Sequence, residues 1–231
     1  MIPKVIHSIW VGGNPKSDLV KICENSWKKY CVDYTFIEWN EDNFDIDSSP
    51  LYVKEAYKKK KWAFVSDYIR LWVLYNYGGV YLDTDMELLK NIDSLLENKS
   101  FSGFEDNEFV AVGILGTIKS NPLIKKTLEH YETKSFIRED NSIDTITIVH
   151  ILTEKLKEIG LVCDGKEQLL ENYFKIYSQT YFYPTDFKTG KTKMHKNTYT
   201  NHHYDSSWLT TTQKIRIKLG RFLRKNNLLK S

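Results

Sequence analysis

No stretch of this sequence approaches the roughly 18 consecutive apolar residues that a membrane-spanning helix needs, and the N-terminus has no basic segment followed by an apolar run. Both absences point to a cytoplasmic chain. Cysteine is scarce: Cys23, Cys31 and Cys163 are odd in number and lack C-x-x-C spacing, which argues against a disulfide framework or a zinc site and for free thiols. Internal repeats, low-complexity tracts and domain-sized linkers are also missing. At 231 residues, 41% hydrophobic and 14% aromatic, the chain can bury one sizeable core rather than two. One domain over residues 1–209 is expected. Residues 210–231 contain no acid but seven Lys and Arg, so the net charge of +3 becomes −4 for residues 1–209. The tail is therefore a distinct electrostatic object.

Residues 5–11 (VIHSIWV) read as a short buried strand ending at Gly12-Gly13, where a parallel strand delivers a ligand loop. A polar helix over about 16–30 and a second strand at 34–39 (YTFIEW) follow. Helices are expected at about 51–61 and 62–77, the second largely apolar and broken by Gly78-Gly79. Val80-Tyr81-Leu82 then runs as a strand into Asp83. This alternation indicates an α/β sheet with ligands at the carboxyl ends of its strands. Further on, 101–104 and 109–117 look like strands and 121–131 and 144–159 like helices. The aromatic, Thr-rich segment 174–204 fits short strands folding back over a site.

Asp83 and Asp85 flank one residue directly after a hydrophobic strand, where a chain can point carboxylates into a crevice. Oxygen ligands suit Mg²⁺ or Mn²⁺, and such ions often bridge carboxylates and a substrate diphosphate. Alone, D-x-D is weak, because most such triplets are surface turns or caps. Its context is the block AFVSDYIRLWVLYNYGGVYLDTDM over residues 63–86. Asp67 and Arg70 sit three apart, on one face of a mostly apolar helix that leads straight into Asp83. As an isolated pair they read as a surface ion pair; on this helix they are buried charges that need partners, and a polar ligand is one.

SDxxR, an apolar helix and then GGxYLDxD resemble the DXD-containing sugar transferases of glycosyltransferase family 32 type. That group takes in Och1-like mannosyltransferases, capsular-polysaccharide transferases and large clostridial toxins. IPKVIHSIWVGG at the N-terminus and TYTNHHYDSSW near the C-terminus match the same group, so the resemblance spans about residues 2–208. It implies a single-domain GT-A-like α/β fold with a mixed central sheet flanked by helices. Trp10 matches the aromatic that stacks on the donor base, or else is a core Trp. Asp67 and Arg70 match residues that grip the donor sugar hydroxyls and phosphate. Tyr81 lines the nucleotide pocket or simply faces inward. Asp83 matches the carboxylate that contacts ribose and a metal-bound water, and Asp85 the direct metal ligand. His203, Ser206 and Trp208 match a site where a carboxylate or His completes the metal sphere and Ser and Trp contact the diphosphate. An imidazole favours Mn²⁺ over Mg²⁺. Neighbours on a strand face opposite sides, so only one of His202 and His203 points at the metal, and His203 is the expected one. Val112-Gly113-Ile114 and Thr145-Ile146-Thr147 stand where the group usually shows an Asn or Gly-Pro landmark near the acceptor, so acceptor and donor sugar stay open.

The expected activity is retaining transfer from a nucleotide sugar, a UDP-sugar first, to a saccharide or lipid-linked saccharide of a bacterial surface or capsular polysaccharide. Retention is expected by front-face attack, with the metal and Arg70 stabilising the departing diphosphate. Alternatives are a toxin-like effector acting on a protein, a noncatalytic sugar-nucleotide binder, and a metal-dependent hydrolase. Residues 211–229 read as a basic amphipathic helix with Ile215, Leu219, Phe222 and Leu223 near one face. It could lie on anionic lipid at the inner face of the membrane or pack on the domain, and periodicity does not separate the two. Nucleic acid is not an expected partner, since no basic surface is evident elsewhere.

Overall fold

The computed structural model describes residues 1–171, 173–187, 189–205 and Gly220. Ser206, Trp208, the domain division at 209/210 and, but for Gly220, the expected basic helix lie outside these residues.

The chain opens with β1 (Val5–Ile9), α1 (Asp18–Tyr30) and β2 (Thr35–Trp39). Helix α1 starts at Asp18 because the Ser17 hydroxyl accepts from Val20 N–H at 3.4 Å as an N-cap. Next come α2 (Leu51–Lys58), α3 (Trp62–Tyr77), β3 (Gly79–Leu82) and β4 (Met86–Leu88). The apolar sequence of α3 fits its place: Val65, Ile69, Leu71, Val73 and Leu74 are buried. It stops at Gly78, whose φ is +68° and whose Cβ, were there one, would sit 2.6 Å from Lys119 N. Only glycine turns the chain there so abruptly into β3.

A second half follows, with β5 (Ser100–Phe104), β6 (Val110–Thr117), α4 (Pro122–Glu132) and α5 (Ile148–Lys157). It closes with β7 (Gln168–Leu170), β8 (Phe174–Tyr177), α6 (Gln179–Phe182) and β9 (Thr200–His202). Helix α5 begins at Ile148, four residues later than its apolar pattern suggests. Asp144 is spent on the preceding loop, where its Oδ1 accepts from Ile146 N–H at 3.1 Å and from Arg138 at 3.0 Å.

The described strands form a seven-stranded mixed sheet ordered β2-β1-β3-β6-β5-β8-β7 and a small β4-β9 pair. The mixed sheet flanked by helices confirms the expected single-domain, GT-A-like α/β class. β1 pairs in parallel with both β2 and β3. The chain leaves β1 for β2 on one side and returns to β3 on the other, so the strand order reverses there. Such a switch point opens a crevice beyond the strand ends, the usual ligand site of an open α/β sheet. Along β3 the side chains alternate. Val80 and Leu82 join the core packed under α1 through Cys23 and Trp27, and Tyr81 joins the core under α2, α3, α4 and α5. The β4 pair was not expected from sequence. It is bonded from below by α1, where Trp27 Nε1 donates to Met86 O at 2.6 Å and Ser26 Oγ accepts from Leu88 N–H at 2.9 Å.

Candidate metal and donor site

A cavity of about 420 Å³ opens beyond the carboxyl ends of β1 and β3, lined among others by Trp10, Ser66, Arg70, Tyr81, Asp83, Asp85, Glu105 and His202. Trp10 follows β1 directly and is only partly buried. Its Nε1 donates to Asn14 O at 2.7 Å, which clasps the loop after β1 against the indole and leaves a ring at the cavity wall. The loop is fixed twice more: Gly12 N–H donates to Glu41 at 2.7 Å, and Lys16 bridges Glu24 and Glu38.

Arg70 organises the floor. From α3 its NH2 reaches Asp67 Oδ1 and its NH1 reaches Asp83 Oδ1, each at 3.2 Å. NH1 also donates to Val112 O, NH2 to Ser66 Oγ and Nε to Ser66 O. The guanidinium lies 4.5 Å from the centre of the Tyr81 ring, a cation-π contact in a buried setting. Burial opposes its charge, yet Asp83, then Tyr81 and Asp67, raise its pKa above the ordinary guanidinium value. Asp83 is held by the Tyr81 hydroxyl, which donates to Oδ1 at 2.7 Å, and its own N–H donates to Gly113 O at 2.8 Å. Gly113 leaves little room there: a Cβ would come 3.2 Å from Asp83 Oδ2 and 3.3 Å from Met86 Sδ, so one of them would have to give by a few tenths of an ångström.

The helix-face expectation for Asp67 and Arg70 holds, but the two part company at the cavity. Arg70 lines it and Asp67 does not. Asp67 is 6% exposed, with Oδ1 on Arg70 and Oδ2 accepting from Ile148 N–H at 3.3 Å at the start of α5. Burial pushes its carboxyl up to about 6 against the pull of Arg70. In this structure Asp67 therefore anchors Arg70 and α5 rather than facing a ligand.

The histidine assignment needs correction. The β4-β9 pairing sets His202 opposite Met86, and His202 Nε2 lies 3.1 Å from Asp85 Oδ1. His203, the expected neighbour of the metal, turns the other way and places Nε2 2.8 Å from Glu87 Oε2. The two neighbours do face opposite sides, as strand alternation requires. What sequence alone could not supply is the register: β4 was invisible, and it decides which of the two meets Asp85.

Asp83, Asp85 and His202 each offer one ligand atom, all within 4.8 Å of one another. These residues fit a divalent cation on two further grounds. His202 Nδ1 is buried without a hydrogen-bond partner among the described residues. Two carboxylates and an imidazole are a donor set for Mn²⁺ and, less well, Mg²⁺. Burial opposes ionisation of Asp85, but His202 and the Asp205 N–H at 2.8 Å hold its carboxyl below the usual carboxylate range. Burial likewise depresses His202, and Asp85 outweighs it, so the imidazole titrates above its ordinary value.

Other wall residues escaped the sequence reading. Glu105, directly after β5, lies near Tyr204, and burial pushes its carboxyl up against the pull of His202. The Tyr204 ring lies 4.0 Å from the His202 ring, with a φ of +53° at Tyr204. No spacing in the sequence links residue 105 to residues 202–204. The fold does, by bringing β5 and β9 to one rim.

Likeness to known proteins adds to this geometry. Residues 17–102, which hold Ser66, Asp67, Arg70, Tyr81, Asp83 and Asp85, match the glycosyltransferase sugar-binding region containing a DXD motif. Over this stretch the chain is similar to the DXD glycosyltransferases. The chain is 26% identical over 152 residues to a mannosyl phosphorylinositol ceramide synthase of Saccharomyces cerevisiae, covering 59% of this chain and 38% of that one. An uncharacterized glycosyltransferase of Acanthamoeba polyphaga mimivirus is 36% identical over 104 residues, covering 42% of this chain and 40% of that one. The chain thus spans about two fifths of the length of these curated relatives. Among solved structures, the PaToxG glycosyltransferase superposes with a TM-score of 0.54 at 19% identity, over 68% of this chain and 69% of that one, a likeness of fold. No helix among the described residues is long and apolar enough to cross a membrane.

Proposed function

We propose that this chain is a divalent-cation-dependent glycosyltransferase that moves a sugar from a nucleoside-diphosphate donor to a saccharide or lipid-linked saccharide acceptor, with retention at the anomeric carbon. One observation carries the reading: a single cavity joins an aromatic face, a buried Arg70 held charged, and the Asp83, Asp85 and His202 cluster.

Asp85 and His202, with Asp83 beside them, are the residues that hold the cation, Mn²⁺ in preference to Mg²⁺. When bound, the ion supplies Lewis-acid charge neutralisation for a departing diphosphate. The chain's own residues do the rest. Trp10 offers its indole to the base, a contact worth roughly 1–3 kcal/mol in comparable stacking sites. Asp83, held by Tyr81 and Arg70, is already oriented when it meets ribose or a bound water. Arg70 keeps its positive charge at the cavity floor, where it stabilises phosphate charge developed in the transition state. Front-face attack then lets a departing phosphate oxygen take the acceptor proton.

The test is a transfer and hydrolysis screen of UDP- and GDP-linked hexoses with Mn²⁺, with the anomeric configuration of products read by NMR. Turnover of one donor with retention is expected. Inversion would refute the mechanism, and no turnover or binding of any donor would refute the function. A second reading rests on the names of the relatives, a mannosyl phosphorylinositol ceramide synthase and an inositol phosphoceramide mannosyltransferase among them. It takes mannose as the sugar and a phosphoinositol lipid as the acceptor, against the first reading's surface-polysaccharide saccharide. Acceptor trials with both classes separate them.

A further inference from the structure

We propose that Glu105 reads the transferred sugar, its carboxylate accepting hydrogen bonds from hydroxyls of the donor's hexosyl group at the β5 end of the cavity. The proposal rests on the nucleotide-sugar reading above and adds a subsite to it.

The argument starts from strand direction. β1 and β3 run parallel, and β3 and β5 each pair antiparallel with β6, so β1, β3 and β5 all run the same way. Their carboxyl ends share one edge, with the start of β6 lying between β3 and β5. Neighbouring strands lie about 4.8 Å apart, so this edge spans roughly 14 Å from β1 to β5. A nucleotide sugar is an extended ligand of fixed order: base, ribose, diphosphate, hexose. Trp10 after β1 offers a face for the base. Asp83 and Asp85 after β3, with His202, offer the place for the diphosphate and its cation. The third edge position, after β5, falls to the hexose, and Glu105 is the residue that stands there and lines the same cavity.

Chemistry and rigidity agree with the position. An ionised carboxylate is an acceptor-only group, complementary to the donor hydroxyls of a sugar ring. Glu105 begins a tight turn in which its N–H donates to Phe109 O at 3.0 Å and Asp106 Oδ1 accepts from Glu108 and Phe109 N–H at 2.8 and 2.9 Å. Tyr204, just past β9, lines the same cavity near the carboxylate. The acid that the family resemblance would put on the sugar, Asp67, has both oxygens engaged behind the wall. Glu105 supplies on the wall what Asp67 does not.

The decisive measurement is the affinity that the sugar adds. Titration calorimetry with Mn²⁺ gives Kd for UDP and GDP and for UDP-glucose, UDP-galactose and GDP-mannose, on wild type, Glu105→Ala, Glu105→Gln and Tyr204→Phe. A site built to bond a hydroxyl discriminates strongly against its absence. For at least one donor, the wild type should bind the nucleotide sugar about tenfold to a hundredfold tighter than the matching nucleotide. Glu105→Ala should erase that increment while the nucleotide alone changes by less than about threefold, and Tyr204→Phe, which keeps the carboxylate, should retain most of it. Thermal melts establish that each variant folds. If alanine does not, the isosteric Glu105→Gln is read, and it must cut the increment by about threefold or more. Three results would overturn the proposal with the function intact: an increment that survives alanine, equal weakening of nucleotide and nucleotide sugar, or a glycosyl group trapped covalently on Glu105. Failure of every nucleotide to bind the wild type would sink the parent reading as well.

Discussion

Asp67→Asn should gain stability relative to the parent protein as pH rises from about 4 to about 6. Asp67 is buried, and burial raises its carboxyl from 3.8 to about 6 in spite of Arg70. An acid whose folded pKa lies above its unfolded one binds more protons in the native state across that interval. Its contribution to stability is therefore complete below the unfolded value and is lost as pH rises through the folded one. At 1.36 kcal/mol per pH unit, the loss amounts to about 3 kcal/mol by pH 7. Asparagine keeps the shape and cannot titrate, and Arg70 retains Asp83 as a partner at 3.2 Å. Urea unfolding of both proteins at pH 4, 5, 6 and 7 isolates this one group, because other titrating groups cancel in the difference. The variant should trail near pH 4 and recover by about 3 kcal/mol relative to wild type at pH 7. A difference that stays flat, or that moves against the variant as pH rises, would refute the reasoning that burial outweighs the Arg70 charge at this position.

Three further outcomes follow from the site. His202→Ala should weaken Mn²⁺ binding by at least about tenfold, as loss of a ligand must, whereas His203→Ala, which breaks only the Glu87 contact, should change it by less than about threefold; Mn²⁺ EPR titration reads both. Gly113→Ala should push Asp83 off its position and lower donor kcat/KM by about tenfold or more at nearly unchanged melting temperature, since misplacing a positioned group affects the transition state first. Trp10→Ala should raise donor Kd by about fivefold to a hundredfold while leaving Mn²⁺ affinity unchanged, the signature of a base platform rather than a metal-shell residue.

Much of this architecture is legible in the chain. The turn glycines after the apolar 62–77 helix, the short strand behind Asp83 and the SDxxR face are local patterns, and the observed strand differs from the expected one only in taking in Gly79. Arg70 could be placed from spacing alone. The role of Asp67 could not, because what distinguishes it from Arg70 is the Ile148 N–H contributed by the start of α5, 81 residues away. The choice between His202 and His203 failed for a related reason. Both are equal in composition and neighbourhood, and their difference lives in the register of β9 on β4, a strand of three residues with no signal of its own. Glu105 was missed because a lone Glu after a Phe-Ser-Gly-Phe strand says nothing until the sheet order aligns it with Trp10 and Asp83. Local chemistry was readable; long-range register was not.

The account turns on Asp85 and His202 holding a cation that in turn helps hold a nucleotide. The most direct test is thermal shift and calorimetry of UDP and GDP binding with and without Mn²⁺, on wild type and on Asp85→Ala. The wild type should bind one nucleotide tightly only when Mn²⁺ is present, and the variant should lose that metal dependence together with at least about tenfold in affinity. Equal, metal-independent binding by both proteins would contradict the account at its centre.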